Sequence, residues 1–351
     1  MKKEPQSRFL RACHGLPVDA TPVWFMRQAG RYMQEYRQIR EKYSFLEVAS
    51  NPDLAAEVTL QPINAFAFDA AIIFADILLP LTPMGLDLEF VKGVGPVIDN
   101  PVRSRQDVDK LRPVVAEEDL GFVMEAIRKV RSELDGKQIP VIGFAGAPFT
   151  VASYMIEGGS SRTYRQAKSM MYQSPAVWHQ FMDLISDSLI SYLKAQVEAG
   201  AQALQLFDSW VGALNPADYR NFVLPHSQRV LSALEDTDVP LIHFGTNTTT
   251  LLPLIKEAGG TIIGLDWRIP LDEGWRILGR DVGVQGNLDP MALFAPSDVM
   301  RDKIHEVLQR AGGRPGHIFN LGHGINRHTD PGMVREAVNM VHDLSAGMID
   351  E

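Results

Sequence analysis

Two arginines stand four residues apart in Met26-Arg27-Gln28-Ala29-Gly30-Arg31, directly after the apolar run Pro22-Val23-Trp24-Phe25. A guanidinium fork meets a carboxylate with two parallel N–H···O bonds, so such a pair at the end of a buried run suits an anionic ligand. The chain carries a formal net charge of -9, and this local positive charge runs against its own long-range field. The pair also has a plain surface reading, in which Arg31 bridges to Glu35 one helical turn on. Other polar residues follow other apolar runs: Asp76 after Ile72-Ile73-Phe74-Ala75, Asp208-Ser209 after Leu204-Gln205-Leu206-Phe207, and His323 between Gly322 and Gly324. The small-residue stretch Gly143-Phe144-Ala145-Gly146-Ala147-Pro148-Phe149 is expected to let a bulky ligand approach the backbone, with Tyr154 about two turns later. The set is arginine-rich, with a carboxylate, two hydroxyls and a histidine, and fits polyanion binding with charge stabilisation or proton transfer. Each member keeps a structural alternative: Asp76 as a helix cap or an arginine's partner, Ser209 as a capping hydroxyl, Tyr154 as core. His323 is the hardest to place in a core, because its flanking glycines remove the packing that would explain it.

These residues need a scaffold that gathers strand ends. Eight short runs rich in Val, Ile, Leu and Phe recur: Val23 to Met26, Ala70 to Ala75, Pro140 to Ala145, Ala203 to Phe207, Leu241 to Phe244, Ile262 to Leu265, Val282 to Gln285 and His317 to Leu321. Their near-continuous hydrophobicity reads as strands covered on both faces, as a parallel sheet requires. Helix starts lie between them, at Asn51-Pro52-Asp53, Ser174-Pro175, Asn215-Pro216, Pro296-Ser297 and Asp330-Pro331. Residues 31 to 43 place Tyr32, Tyr36, Ile39 and Tyr43 on one helical stripe. The alternation, with no linker dividing the chain, predicts a single-domain (β/α)8 TIM barrel over residues 1–351. An insertion after strand two, at about 81–138, holds a hairpin candidate at Val91 to Pro96 and a helix near Leu120 to Leu134. In a barrel of this kind the chemistry sits at the carboxyl ends of the strands, where the polar residues above fall.

The bulk properties exclude several classes. Hydrophobic residues make up 45% and charged residues 22%, an ordinary globular balance. The acidic charge, without a block of five basic residues, argues against a nucleic-acid or anionic-membrane surface. The lone Cys13 rules out an internal disulfide and a multi-thiolate metal site. Met1 to Arg11 lacks the apolar region of a secretory signal, and the apolar stretch Phe66 to Pro83 is broken by Asp69, Asp76 and Pro80. A cytoplasmic enzyme is expected. There is no G-x-S-x-G elbow, Walker loop, H-E-x-x-H helix or recognisable pyridoxal-phosphate lysine, and Gly93-Val94-Gly95 matches a dinucleotide turn only in part.

Several segments resemble the uroporphyrinogen decarboxylase family. Pro22 to Tyr32 is similar to a family signature, as is Gly143 to Thr150; further matches are Asp69 to Leu78, Tyr154 to Gly159, Gly200 to Phe207, Gly264 to Trp267, Gln285 to Pro290 and Asn320 to Gly324. They run along essentially the whole chain in family order. The resemblance implies a (β/α)8 barrel, a homodimer with facing clefts, and conversion of uroporphyrinogen to coproporphyrinogen by loss of carbon dioxide from four acetate side chains, in heme biosynthesis. It implies no metal and no organic cofactor. By matching position, Arg27 and Arg31 bind substrate carboxylates with help from the backbone of Gln28, Ala29 and Gly30, and Asp76 binds the pyrrole N–H groups. Tyr154, Ser209 and His323 line the cleft, and Arg40 aligns with a substrate-contacting arginine. Asp76, Arg27, Tyr154 and His323 are the expected catalytic residues. The chain departs from the pattern at Ile325 to Pro331, where many members carry a proline near Arg327. Two other readings compete: a zinc-dependent methyltransferase, which needs a His/Cys ligand set, and a tetrapyrrole carrier without catalysis.

Overall fold

A computed structural model describes residues 5–91 and 93–349; of the segments read above, residues 1–4 and Lys92 lie outside it. Nine strands follow in chain order: β1 (Ala71–Ile72), β2 (Leu88–Val91), β3 (Gly95–Ile98), β4 (Val141–Gly146), β5 (Ala203–Asp208), β6 (Leu241–Gly245), β7 (Ile262–Gly264), β8 (Gly283–Gln285) and β9 (His317–Ile318). Seven of them form one curled sheet in the order β1-β4-β5-β6-β7-β8-β9, with every neighbouring pair parallel. Every residue of β4 and β6 is buried, as helices on one face and packed side chains on the other demand.

The first expected strand, Val23 to Met26, does not form. Val23 makes a single parallel bridge to Phe319, and the chain then turns, with the Gln28 N–H donating to the Phe25 carbonyl at 3.0 Å. The reason is a side chain that replaces the ladder: Asn320 Oδ1 accepts the Met26 N–H at 3.1 Å and the Leu321 N–H at 2.8 Å. Segment 22–24 still reaches both outer strands of the sheet. Phe319 N–H donates to the Pro22 carbonyl at 2.8 Å, and Asp69 N–H, just before β1, donates to the Val23 carbonyl at 2.9 Å. β1 itself is short because Thr59 Oγ1 captures the Phe74 N–H at 2.8 Å and draws the chain out of the ladder.

Helices begin where capping chemistry places them. Asn51 Oδ1 accepts from Asp53 and Leu54 at the head of Pro52–Ala65, and Pro175–Glu198 and Pro331–Ile349 open on proline. The stripe expected from residue 31 starts later, as Gln34–Lys42, because Gly30 to Met33 closes a turn through Met33 N–H to the Gly30 carbonyl at 3.0 Å. Residues 81–138 include the β2–β3 hairpin, which extends beyond Val91 to Pro96 on both sides, and the helix Gly121–Glu133. The position of this insertion was not legible. The hairpin docks on the end of the helix Pro148–Glu157, through a bridge from Val97 to Gly159 and a bond from Ile98 N–H to the Gly158 carbonyl at 3.0 Å. Gly159 has φ +154°, and a Cβ there would lie 2.9 Å from the Pro96 carbonyl oxygen, so the docking requires glycine.

Asp69 ties the amino ends of the strands together. Its carboxylate accepts Val23 N–H at 2.7 Å, pairs with Arg8 at 2.7 Å and meets His342 Nε2 at 2.8 Å. Arg8 comes from the helix Arg8–Cys13 and His342 from Pro331–Ile349, so one side chain joins the first and last helices to β1. Asp69→Ala leaves the buried Val23 N–H unpaired, while Arg8 keeps its pair with Asp19, and is expected to cost about 1–3 kcal/mol of folding stability. Urea denaturation checks this, with kcat of the folded fraction within about twofold of wild type because this end faces away from the chemistry.

Candidate active site

The carboxyl ends of the strands gather the polar set. Arg27 is the third residue of the turn from Phe25 to Gln28, in the left-handed region at φ +62°, which costs a non-glycine residue on the order of 1–3 kcal/mol. The cost is met by contacts on both sides: Met26 is held through Asn320 and through Ile325 N–H, which donates to the Met26 carbonyl at 2.9 Å. The Arg27 side chain then runs across Gly324. A Cβ at Gly324 would stand 2.5 Å from Arg27 Cδ and 2.7 Å from its Cγ, so this glycine is the floor on which the guanidinium stem lies.

Asp76 follows β1 and is half-buried. Its Oδ1 accepts the Leu78 N–H at 2.8 Å, which closes a turn and caps no helix, since the next helix begins at Leu81 with Pro80 as its cap; among the described residues Oδ2 has no hydrogen bond. Burial pushes the Asp76 carboxyl up to about 6, held from rising further by the Leu78 N–H bond and by the positive charge of Arg27. Among the described residues Arg27 and Asp76 make no ion pair, with each other or with any other residue, although each feels the other's field. Tyr154 sits late in the helix Pro148–Glu157, its ring edge-on to Trp210 at 5.4 Å. Burial, and then the negative charge of Asp76, push its hydroxyl up to about 12, so at neutral pH it is an O–H donor.

His323 follows β9. Its Nδ1 accepts the Gly324 N–H at 2.8 Å, which assigns the proton of the neutral ring to Nε2. Burial, then the charges of Arg27 and Arg268, press the imidazole down to about 4 against the pull of Asp266. At neutral pH His323 is therefore an uncharged N–H donor and not an acid.

Ser209 is fixed through its backbone. Thr246 Oγ1 donates to its carbonyl at 2.6 Å, while its own hydroxyl makes no bond among the described residues. Behind it the fully buried Asp208 accepts Thr150 Oγ1 at 3.0 Å, and Thr150 in turn accepts Trp210 N–H at 3.2 Å, which pins the Ser209-Trp210 turn.

The remaining expected residues are placed differently from one another. Gln28 is fully buried: its amide donates to the Ala70 carbonyl at 3.1 Å and its own carbonyl accepts Tyr32 Oη at 2.7 Å. With Gln28 N–H also engaged, the N–H groups of Arg27, Ala29, Gly30, Arg31 and Tyr32 make no hydrogen bond among the described residues. Arg31 is exposed and makes no ion pair among the described residues, so the bridge to Glu35 does not form. Arg40 is half-buried, bonded to the Tyr43 carbonyl and Tyr36 Oη and lying 5.5 Å over Phe45, which contacts Phe74 near Asp76.

The small residues of 143–149 serve a purpose other than the expected one. The space at Gly143 is filled by Gln196, which bonds Phe144 N–H at 2.8 Å and its carbonyl at 2.9 Å, and that at Gly146 by Val151 and Ile77. They admit a helix to the strand rather than a ligand to the backbone. The loop Ile325 to Pro331 forms an Asn turn, Asn326 Oδ1 accepting His328 N–H at 3.0 Å. Cys13 is buried, and burial pushes its thiol well above the usual range. Among the described residues no three His, Cys, Asp or Glu side chains converge as a metal-binding group, and no helix is long and apolar enough to cross a membrane.

Comparison with known proteins gives this geometry a family. Residues 4–344 match the family described as Uroporphyrinogen decarboxylase (URO-D). The chain is 56% identical over 338 residues to a uroporphyrinogen decarboxylase from Carboxydothermus hydrogenoformans, covering 96% of each chain. It is 57% identical over 337 residues to one from Sorangium cellulosum, again covering 96% of each. Among solved structures, a methyltransferase from Methanosarcina mazei shares the fold, with a TM-score of 0.81 at 20% identity over 96% of this chain and 97% of that one. Matched by that profile from near its start to near its end, and more than half identical to both relatives, the chain belongs to the uroporphyrinogen decarboxylase family.

Proposed function

We propose that this chain converts uroporphyrinogen III to coproporphyrinogen III, decarboxylating four acetate side chains to methyls. The observation that carries the reading is the pair of opposite charges, Arg27 and Asp76, that share a field without neutralising one another. A ligand with carboxylates at its rim and N–H donors at its centre complements both. A simple polyanion binder gains nothing from the carboxylate unless that carboxylate contacts N–H donors of the ligand.

The chemistry needs an electron sink, and the substrate supplies it. Protonation of a pyrrole ring carbon gives an iminium cation; the bond to the carboxylate then breaks, carbon dioxide leaves, and the electron pair flows to the ring. A proton added to the exocyclic carbon, with loss of the ring proton, restores the pyrrole and leaves a methyl. The protein's tasks are to hold the polyanion, stabilise the transient cation and guide protons. Arg27 and Arg31 hold carboxylates, with the Ala29 and Gly30 N–H groups beside them. The neutral His323 Nε2–H and the hydroxyls of Tyr154 and Ser209 donate to acetate or propionate oxygens. Ionised Asp76 faces the ring nitrogens, where positive charge develops mainly near the transition state. Proton delivery falls to Arg27 or to water held by Asp76 and Tyr154, since His323 is already deprotonated at neutral pH.

In this reading segment 22–24 is the eighth stave of a closed (β/α)8 barrel, supported by its bonds to Asp69 before β1 and to Phe319 after β9. The protein is a cytoplasmic homodimer that uses neither metal nor organic cofactor. Incubation with uroporphyrinogen under reducing conditions, followed by oxidation and separation by carboxylate number, tests the activity: hepta-, hexa- and pentacarboxylate species should precede the tetracarboxylate. Tight binding with all eight carboxylates retained would establish a carrier instead, and turnover abolished by chelation would favour the zinc reading.

A further inference from the structure

We propose that Arg268 is a further substrate-binding arginine, which takes a peripheral carboxylate of the tetrapyrrole on the arc of strand ends between β6 and β9. The inference rests on the decarboxylase reading and adds a residue to it.

Arg268 lies four residues beyond β7, at the same end of the sheet as Asp76, Tyr154 and Ser209. Its guanidinium lies 3.8 Å over the ring of Trp267, and Trp267 stands edge-on to His323 at 6.5 Å. The charges of Arg268 and Arg27 both reach the His323 imidazole. Asp266, 2% exposed, holds the arginine from behind through Nη1 at 2.7 Å. The same carboxylate accepts the Arg268 N–H at 2.9 Å and the Asn247 N–H, which ties the turn after β7 to the turn after β6.

The guanidinium thus lies over the indole and is anchored through one nitrogen, while among the described residues Nε and Nη2 make no hydrogen bond. A cation over an indole is stabilising in itself, by about 0.5–1 kcal/mol at an exposed site, and together with the Asp266 bond it limits the positions open to the guanidinium. An arginine that must offer an open N–H edge to a carboxylate gains much, because its rotamer entropy is already lost before binding. The positive charge of Arg27 and Arg268 acting at His323 also explains how an uncharged imidazole can serve a polyanion site, since the arginines supply the charge and the imidazole supplies an N–H.

The test compares wild type, Arg268→Gln and the double variant Asp266→Asn with Arg268→Gln, which removes the buried charge along with its partner. KM and kcat for uroporphyrinogen are measured across ionic strength, beside fluorescence titration with uroporphyrin, the octacarboxylate that cannot turn over. Arg268→Gln should raise KM and the uroporphyrin Kd about tenfold, leave kcat within about twofold, and flatten the rise of KM with salt. The double variant should show the same loss. Wild-type KM and salt dependence in Arg268→Gln, or their return in the double variant, would reduce Arg268 to a counterion of Asp266 and overturn the proposal. Failure of the wild-type enzyme to turn over uroporphyrinogen would instead sink the decarboxylase reading itself.

Discussion

Asp76→Asn should lower kcat on the order of 10²–10³-fold while uroporphyrin binding changes only a few fold. The amide keeps the shape and an oxygen to accept the Leu78 N–H, so the turn after β1 survives. What is lost is the negative charge, whose benefit is greatest when the pyrrole is cationic. The pH dependence provides an independent check. The free carboxyl titrates at about 6, raised by burial, and the ionised form is the competent one. The kcat/KM of wild type should therefore fall as pH drops through about 6, and this limb should be absent from the residual activity of Asp76→Asn. The limb in kcat should lie at lower pH, because bound N–H donors favour the anion.

The same carboxyl makes a stability statement of the opposite sense. A folded-state value raised above the ordinary 3.8 means that the site's contribution to folding is fully present below about pH 4 and is lost as pH rises through about 6. At pH 7 the ionised Asp76 costs the ligand-free protein at most ~3 kcal/mol. Asp76→Asn should accordingly melt no lower than wild type at pH 7. Near-normal turnover in this variant, or a kcat/KM flat from pH 5 to 8, would remove the cation-stabilising role.

Arg27→Ala is the second large effect. A carboxylate contact contributes about 1.5–3 kcal/mol, so kcat/KM should fall roughly 10–100-fold, and the increase of KM with ionic strength should become shallower. Gly324→Ala should have a similar effect without removing any charge. Its new Cβ would collide with Arg27 Cδ and Cγ and push the guanidinium off its floor. Arg27→Gly separates binding from strain: at φ +62° glycine pays no steric penalty, so it should melt higher than Arg27→Ala while binding equally poorly. Thermal denaturation and steady-state kinetics of the three variants decide the matter. A Gly324→Ala enzyme with unchanged KM would show that Arg27 does not need its observed path across the site.

What the chain alone determined is what depends on neighbours in sequence. The seven strands of the parallel sheet were legible because helices and core cover both their faces, which forces uninterrupted apolar runs such as Leu241 to Phe244. The helix at Pro52 was legible because Asn51 caps it from the adjacent position. Arg27, Asp76, Ser209 and His323 stood out because a parallel sheet brings the residue after each apolar run to one end. Family likeness supplied their expected roles.

Only the tertiary structure decided matters set between distant segments. Asn320, 294 positions from Met26, takes the N–H that a first strand would have used, and so makes a turn of that segment. The state of each site group is set in the same way. Asp76 titrates near 6 because burial removes its water, and His323 stays neutral because burial and two arginines from remote loops oppose its charge. Solvation and through-space fields depend on which side chains fold against a group, and spacing along a chain carries no record of that. Gly143 and Gly146 show the converse: small residues at a strand end suggested room for a ligand, yet Gln196, Val151 and Ile77 already occupy it.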